Sequence, residues 1–487
     1  MLDFKTLSDE DLARFIRGRI ANFEERRMQM VQSMDYYNYK HDILTKQRLA
    51  IGENGRVVKL FNLPNSQIID NQYAKVLDQK VNYLFSKLPA VECEDAAYQE
   101  TITDLYDKRF LRVLSKLALD AYLCGIAWLY VYPDEDGGLG LKKMDSREMI
   151  PIWEDSTHES LQALIRSYTV QVFEEGRLTE KHRVAFYTEN GVLLYDNSDG
   201  RLEKISEEAY IHDTTGRGYS FGKIPFIYFK SNSQEQIFLD RCKSLQDGIN
   251  TLLSNFQDNM LEDPRNTILI IKNYDGENLG EFRRNLATYG AVKVRSADGS
   301  QGGIDSLEIQ VNAENYQAIL TLLKEKLIEN LGGADLKNQR SSQAPNELNI
   351  KAMYADMELS ANQIELEFAA SLEHLEYFFK AVSKIETSDV SNITFKRNIM
   401  VNEESQVSMI AASYGMVSQK TLLSAHPLVS NVDRELEQLK SEREDELSDG
   451  YGLLGATGDR GDPAEREGDG GSGQPDRPRA QAGHGGH

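Results

Sequence analysis

Cysteine is scarce in this sequence, with three residues among 487. Cys93, Cys124 and Cys242 are far apart along the chain and form no CxxC motif, which argues against a disulfide framework. Cys124 lies in an apolar run and is predicted to be a small buried core residue. The chain also lacks any run that approaches the roughly 20 apolar residues needed to cross a bilayer, so no membrane segment is predicted.

Catalytic signatures are missing as well. The phosphate-binding motif GxxxxGK[ST] does not occur, and the glycine-rich stretch at 216–224 has the wrong spacing and an isoleucine in place of the hydroxyl. The HExxH, GxSxG and GxGxxG motifs are absent, and the eight histidines are scattered. Carboxylates are so numerous that no catalytic pair stands out. The sequence therefore favours a structural or mechanical protein over an enzyme, and it predicts no cofactor and no catalytic metal.

Positive charge is in the minority. Lys and Arg number 55 against 77 Asp and Glu, which gives a formal net charge of −22. A protein that reads a nucleic-acid sequence needs basic patches against the phosphates, so this charge argues against a sequence-specific binder. It does not argue against a conduit for nucleic acid, because a wall that repels phosphates keeps a moving duplex centred.

The chain is too long for one compact core and has room for two to four substructures. Its 40% of hydrophobic and 27% of charged residues are a normal balance for a soluble, folded protein. The N-terminus carries acidic residues where a signal peptide would carry positive charge and then an apolar run. The protein is therefore expected in the cytoplasm of the cell that makes it.

The N-terminal half combines helical and strand patterns. Residues 1–60 are predicted to be helical, because apolar residues recur at steps of three and four. Further helices are predicted at about 67–87 and 101–124, and short strands follow from 127 to about 230. Helices followed by a meander of strands indicate an α+β domain.

Residues 231–333 contain two helical segments around a small insertion. The first helical segment has one continuous apolar face and is ended by Pro264, and the second ends at Gly332 and Gly333. The insertion is predicted to be a β-α-β-β unit, with strands at 267–272, 291–294 and 307–311 and a helix near 279–286. Two long helices that bracket a compact unit form a stalk with a head.

A polar segment at 334–349 contains many turn-forming residues, and a loop of this length is uncommon inside a folded body unless it has a function. A long helix is predicted directly after it, at 350–382, with an apolar stripe and acidic remaining faces. By itself this pattern is typical of an amphipathic surface helix. From residue 451 onward Gly, Asp, Pro and Arg dominate, so 451–487 is predicted to be a disordered tail.

Several segments resemble, in order, the portal (head–tail connector) proteins of long-tailed bacteriophages. Residues 70–89, DNQYAKVLDQKVNYLFSKLP, are similar to that family's early helix, which typically ends YLFGKP. Here Ser86 replaces the glycine and Leu88 is inserted before Pro89. Four further segments also resemble the family: CGIAWLYVY at 124–132 and MIPIWED at 149–155 its wing strands, KIPFIYFKSN at 223–232 the entry to its stem, and LEDPRN at 261–266 the exit.

The resemblance covers about residues 10–440 and implies an α+β portal fold that assembles into a ring of about twelve subunits. It divides each subunit into a wing at 1–230, stem helices at 231–263 and 312–333, an α/β clip at 264–311, a tunnel loop at 334–349, a long helix behind the channel at 350–382 and a helical crown at 383–450.

The resemblance also implies a function and a set of partners. The ring would form the channel at one head vertex through which double-stranded DNA is packaged, retained and ejected, without sequence preference. Its partners would be further copies of itself, a terminase ATPase that docks on the clip, a head–tail adaptor, scaffold protein and the major capsid protein. The protein would lie in the virion, and in the host cytoplasm during assembly.

Three groups of site residues follow from the same resemblance. A sparse basic loop among acidic helices would give the weak, exchangeable phosphate contacts that suit a moving polymer. The basic clip residues are equally well interpreted as a solvated surface. The groups are Lys337, Asn338, Gln339 and Arg340 for DNA contact in the tunnel loop, Asp356, Glu358 and Glu365 for an acidic channel wall, and Arg283, Arg284, Lys293 and Arg295 for terminase docking.

Two alternatives from other classes stay open at the level of sequence. A non-portal structural protein of the head or tail, such as a minor head protein or an adaptor, would lack both the channel and the insertion between stem helices. A metal-dependent nuclease or hydrolase would use some of the many carboxylates, bind Mg²⁺ or Mn²⁺ and turn over a substrate.

Overall fold

The computed structural model describes most of the chain in two compact units, Met1–Met400 and Val401–His487. The described residues are 4–51, 56–61, 63–134, 138–174, 176–197, 200–212, 217–262, 268–272, 303–307, 313–335, 352, 354–398, 403–429, 432 and 434–443. The predicted tail at 451–487, most of the predicted clip and the whole range 336–350 lie outside them.

The described part of the first unit contains seven α-helices and sixteen strands. The helices are α1 (Asp9–Tyr37), α2 (Gln72–Leu84), α3 (Ala96–Leu105), α4 (Lys108–Cys124), α5 (Lys243–Glu262), α6 (Ala313–Asn330) and α7 (Ala355–Ser383). Short 3-10 turns lie at Phe4–Thr6, Asp42–Thr45, Ser146–Glu148 and Phe238–Arg241. The second unit contributes α8 (Glu403–Ala412) and α9 (Gln419–Ala425).

The strands are mostly short and all the named pairs are antiparallel. They are β1 (Leu49–Ile51), β2 (Val57–Lys59), β3 (Ala90–Glu92), β4 (Ile126–Pro133), β5 (Leu139–Met144), β6 (Met149–Trp153), β7 (Leu161–Glu174), β8 (Arg177–Thr188), β9 (Gly191–Asp196), β10 (Glu203–Glu208), β11 (Ile211–His212), β12 (Gly218–Tyr219), β13 (Phe226–Lys230), β14 (Ile268–Lys272), β15 (Gly303–Leu307) and β16 (Asn392–Thr394). This mixture of helix and sheet agrees with the predicted α+β class.

Side-chain caps fix where several helices begin. Ser8 and Asp107 accept hydrogen bonds from free backbone amides in the first turns of α1 and α4, at 3.2 and 2.7 Å. The cap at Asp107 starts a new helix, so the region predicted as one helix at 101–124 is two. Helix α4 ends at Gly125, whose φ of +82° and close approach to the Glu235 carbonyl oxygen leave no room for a side chain.

A three-stranded sheet, in the order β13-β4-β5, lies between α7 and β6 of a five-stranded meander, whose order is β10-β9-β8-β7-β6. Alternate residues of a strand face opposite sides, so the two faces of β4 and β13 meet different partners. On one face Phe229 packs against Phe368 of α7, with ring centroids 4.9 Å apart. On the other face the fully buried Trp128 stacks near Trp153 of β6. The main hydrophobic core lies on both sides of this small sheet.

The two predicted stem helices appear as α5 and α6, which pack together through contacts such as Phe256 against Tyr316 at 4.9 Å. Helix α5 begins at Lys243, later than the predicted start of the stem at 231. The physical reason lies at Asn232, whose side-chain oxygen accepts from the amides of Gln234 and Gln236. Such local bonds offer the backbone an alternative to the helix.

The described ends of the predicted clip pair with each other. Strands β14 and β15 are antiparallel, with Ile268 opposite Leu307. Strand β15 ends at Leu307, the first residue of the strand predicted at 307–311, and the other four residues of that prediction lie outside the described residues. The rest of the predicted clip, including its helix and the strand at 291–294, falls outside the described residues.

The first unit extends beyond the start of the predicted crown at 383. Strand β16 pairs with β3, and Ile393 is opposite Val91. Residues 384–398 are therefore part of the first unit's fold.

Among the residues that the structure describes, no helix combines the length and the apolarity needed to cross a bilayer.

A buried polar stripe on α5 organises the region before α2. Four fully buried side chains recur at every fourth position of α5 and accept hydrogen bonds from backbone amides of the segment 66–72, which is extended up to Gln72, the first residue of α2. The bonds run from Ser66 to Asp258 (2.6 Å), from Ile68 to Ser254 (2.9 Å), from Asp70 to Asn250 (3.1 Å) and from Gln72 to Gln246 (3.0 Å).

We call these four hydrogen bonds the ladder and each bond a rung. The geometry of the two backbones explains why all four bonds can form in register. Four residues of an α-helix advance about 6 Å, and two residues of an extended chain advance about 6.6 Å. The amides of alternate residues in 66–72 therefore meet side chains four apart on α5 with little drift. These side chains act as the acceptors that a neighbouring strand would otherwise supply.

Asp258 forms the most strongly charged rung. Its side chain is fully buried, and Lys46 contacts its second carboxylate oxygen at 2.8 Å. Arg48 lies 3.7 Å from the same oxygen. Burial raises the pKa of Asp258, but the bonds from Lys46 and Ser66 outweigh it and hold the pKa below its usual value.

Replacing Asp258 with Ala should lower the free energy of unfolding by about 3 kcal/mol, because it leaves Lys46 and the Ser66 amide without their acceptor. Since the folded-state pKa is depressed, the contribution of Asp258 is present above about pH 4 and is lost as the pH falls through its folded pKa. Urea denaturation followed by circular dichroism checks both. Glu100→Ala, at an exposed site, should change stability by less than about 0.5 kcal/mol. Equal effects of the two substitutions would contradict the ladder's importance.

Candidate functional site

The predicted acidic wall lies on the N-terminal half of α7. Asp356 and Glu358 are in the first turn of the helix, where negative charge also stabilises the helix dipole. Asp356 is exposed, whereas Glu358 and Glu365 are partly buried. All three predicted residues therefore lie on one helix, but their surroundings differ.

Arg397 binds two of these three carboxylates. Its Nε atom lies 3.0 and 3.1 Å from the oxygens of Glu358, and one terminal nitrogen contacts Glu365 at 2.7 Å. The same terminal nitrogen donates to Asn362. Only 17% of the Arg397 side chain is exposed. Burial lowers the pKa of this guanidinium, but Glu365 and Glu358 outweigh that effect, so the pKa is raised overall.

Further hydrogen bonds fix the carboxylates around Arg397. The hydroxyl of Tyr83 donates to Glu358, and the ring of Tyr83 stacks on Tyr354 with centroids 5.5 Å apart. The amide of Phe395 donates to Glu365 at 3.0 Å. Burial, together with the neighbouring Glu358, raises the pKa of the Tyr83 hydroxyl. This hydroxyl therefore stays protonated and remains a donor.

A third acid of α7 is used in a similar way near the other end of the helix. Glu376 is almost fully buried and accepts from the hydroxyl of Tyr98 at 2.9 Å and from the amide of Ser391 at 3.3 Å. Burial raises the pKa of this carboxyl. Glu358, Glu365 and Glu376 thus attach residues 391–397 to α7. The acidic composition of the helix has a structural role that the sequence reasoning missed.

Lys80 of α2 is a second residue that the sequence reasoning missed. It is 3% exposed, donates to the hydroxyl of Ser360 on α7, and lies 5.5 Å from the ring centroid of Phe238. Burial, with a smaller effect from Arg241, lowers the pKa of this amine to about 7. The signal was weak, since a single lysine on the apolar face of a predicted helix is all that the sequence shows.

The end of α6 and the start of α7 lie close to each other, next to the amine of Lys80. Gly332, in the left-handed conformation with φ +59°, ends the helix, and its amide donates to Glu329 at 3.0 Å. A Cβ atom placed on Gly332 would lie 3.5 Å from both the Lys80 amine and the Asp356 carbonyl oxygen. The chain between these two helices therefore leaves and returns at nearly the same point.

The remaining predicted site residues lie outside the described residues. They are the four of the predicted tunnel loop, Lys337, Asn338, Gln339 and Arg340, and the four of the predicted clip, Arg283, Arg284, Lys293 and Arg295. Their roles stay predictions. Within the described residues, no group of three or more His, Cys, Asp or Glu side chains is arranged to hold a metal ion.

Comparison with known proteins gives a consistent result. Residues 19–449 match the family described as "Phage portal protein, SPP1 Gp6-like". A portal protein of Clostridium phage phiCD119 is 27% identical over 460 residues, which cover 90% of this chain and 98% of the relative. A portal protein of Bacillus phage SPP1 is 23% identical over 426 residues, which cover 85% of this chain and 83% of the relative.

A protein from Bacillus cereus named Gabija protein GajB is 21% identical over 370 residues, but the match covers only 48% of that protein. The portal matches extend over nearly the whole of both chains, and the family match covers most of this one. The chain therefore belongs to the SPP1 Gp6-like family of phage portal proteins. The resemblance seen in the sequence segments is confirmed, and so is the function of a phage portal protein.

Arg397→Ala should weaken the attachment of residues 392–397 to α7 and leave Glu358 and Glu365 without their cation, at a cost of about 3 kcal/mol. The melting temperature should fall, and the amides of 392–395 should exchange with solvent faster. Arg397→Lys keeps the charge but loses the two-sided geometry, so we expect an intermediate effect. Hydrogen exchange followed by mass spectrometry checks this. Unchanged protection of 392–395 in the Ala variant would show that Arg397 does not hold the segment.

Proposed function

We propose that this chain forms a ring of about twelve subunits at one vertex of the phage head. Double-stranded DNA would pass through the central channel during packaging and ejection and would be retained there between the two. The subunit itself would supply no chemical energy, since a separate terminase ATPase would drive the DNA. The protein would be a structural component of the virion head, assembled in the host cytoplasm.

The observation that carries the channel proposal is that the end of α6 and the start of α7 lie close together beside Lys80. The predicted tunnel loop, 334–349, is connected to α6 and α7, which come together where Gly332 approaches Asp356. A segment whose two ends meet on a rigid base is suited to projecting as a loop. We infer that Lys337, Asn338, Gln339 and Arg340 contact the phosphates at the narrowest point of the channel.

The charges on α7 support a wall that guides DNA without binding it. We propose that Asp356, Glu358 and Glu365 contribute to this wall, and the exposed Asp356 is best suited to act on the duplex. Arg397 balances part of the charge of the other two. Duplex DNA carries one negative charge per roughly 1.7 Å of its axis, so even a few exposed acids repel it. A moderate field keeps the duplex centred and lets it slide.

We propose the clip as the docking site for terminase, with Arg283, Arg284, Lys293 and Arg295 as its basic residues. The antiparallel pairing of β14 with β15 supports a compact insertion, because it joins the two ends of the segment. We propose a helical crown at 383–450, whose first residues, 384–398, pack within the first unit. Head–tail adaptor, scaffold and major capsid protein complete the proposed partners.

Replacing Lys337 and Arg340 together with Ala should leave assembly intact, because exposed loop residues carry little stability. DNA packaging into heads, or retention of packaged DNA, should nevertheless fall. The matched control is Lys108→Ala with Arg112→Ala, which removes the same charge from exposed positions on α4. A packaging assay based on nuclease-protected DNA, paired with an assembly check, measures both variants. Normal packaging and retention by the loop variant would remove these two residues from the mechanism.

A further inference from the structure

The β1–β2 hairpin exposes an apolar face. Leu49 pairs with Lys59 and Ile51 pairs with Val57, so these four side chains share one face. Leu49 is 58% exposed, Ile51 79% and Val57 66%. Phe61, just after the hairpin, is 84% exposed. A contiguous apolar face of this kind on a protein surface marks a site of interaction.

The base of the hairpin is tied to α5. The amide of Leu60 donates to the carbonyl of Arg48 at 2.9 Å, and Arg48 reaches Asp258 of α5 at 3.7 Å. A two-stranded hairpin is marginally stable by itself in water. It therefore needs a surface to pack against, and its apolar face has none within the described part of the chain.

A groove of about 700 Å³ on the stem offers a complementary surface. Phe256 of α5 and the small or apolar residues Ala318, Thr321 and Leu322 of α6 line it. Glu314 and Glu325 lie at its two ends, about 16 Å apart along the helix. On the hairpin, Lys59 shares the face of the three apolar residues and Arg56 precedes Val57 in the chain. The hairpin face is thus apolar and basic, and the groove is apolar with acidic residues, so the two surfaces are complementary.

The two surfaces lie on opposite sides of α5. Asp258, which anchors the base of the hairpin, and Phe256, which lines the groove, are two residues apart on the helix. That separation turns the helix by about 200°. A subunit with complementary surfaces on opposite flanks can join its copies head to tail, and such contacts close into rings.

We propose that the β1–β2 hairpin of one subunit packs into the α6 groove of the adjacent subunit. Leu49, Ile51 and Val57 would cover Ala318 and Leu322, with Arg56 and Lys59 beside the acidic ends of the groove. This inference rests on the proposed ring and names the surfaces that join it. The occupant is a second copy of this chain, because the complementary surfaces on opposite flanks belong to the same sequence.

Cysteine crosslinking tests the contact directly. In a Cys93→Ser background, Val57→Cys combined with Ala318→Cys should give a ladder of covalent oligomers longer than dimers on a non-reducing gel. Each single variant should give dimers at most, because only a head-to-tail contact can link a subunit on both sides. Val57→Cys combined with Phe173→Cys, at another highly exposed apolar position, is the matched control and should give no ladder.

Charge reversal provides an independent readout. Lys59→Glu and Glu314→Lys should each raise the concentration needed for half-maximal ring assembly by about tenfold, and the combined variant should return toward wild type. Lys108→Glu, an equal change at an exposed position of α4, should have no such effect. Light scattering after size exclusion measures the assembly.

The outcomes separate this inference from the ring itself. Wild-type protein that never forms rings would overturn both. The hairpin contact alone would be overturned if the double-cysteine variant formed normal rings but no covalent oligomers longer than dimers. It would also be overturned if rings tolerated Lys59→Glu and Glu314→Lys. In that case the hairpin's apolar face would be covered by a different virion protein.

Discussion

The extended segment 66–72 is held along α5 by side chains rather than by a neighbouring strand, and much of the first unit depends on this ladder. Gln246, Asn250, Ser254 and Asp258 are buried polar groups, and such groups destabilise a fold unless each finds its hydrogen-bond partner. Every second amide of the segment supplies one. The ladder thereby fixes the stem helix against the start of α2, whose own cap, Asn71, is the next residue along the chain after Asp70.

Three largely buried basic side chains connect separate elements of this acidic protein. Arg397 joins two carboxylates of α7, Lys46 joins Asp258, and Lys80 supports the junction where α6 ends and α7 begins. In the two ion pairs, of Arg397 and of Lys46, removing one partner leaves a charge that water cannot fully solvate, so breaking either pair is costly. The proposed channel wall would use this framework, because these contacts hold one side of α7 and leave the side chain of Asp356 exposed.

The sequence was sufficient for the features that follow apolar periodicity or family resemblance. It predicted α5, α6 and α7 and the strands after residue 126, because their apolar residues repeat at helical or strand spacing. It missed the polar stripe of α5, although four hydrogen-bonding side chains at every fourth position were a readable signal. It also assigned the β1–β2 hairpin to a helix, despite two glycines between short runs of strand-forming residues. The pairing of Arg397 with Glu358 and Glu365 bridges more than 30 positions, and no local pattern reveals such a contact.

The central claim is that this chain works as a closed ring around a channel. Electron microscopy of the purified full-length protein, combined with its mass by native mass spectrometry, measures this most directly. The account predicts ring-shaped particles of about twelve subunits with a continuous central opening wide enough for duplex DNA. Particles that remain monomers or dimers across assembly conditions, or closed assemblies without an axial opening, would contradict it.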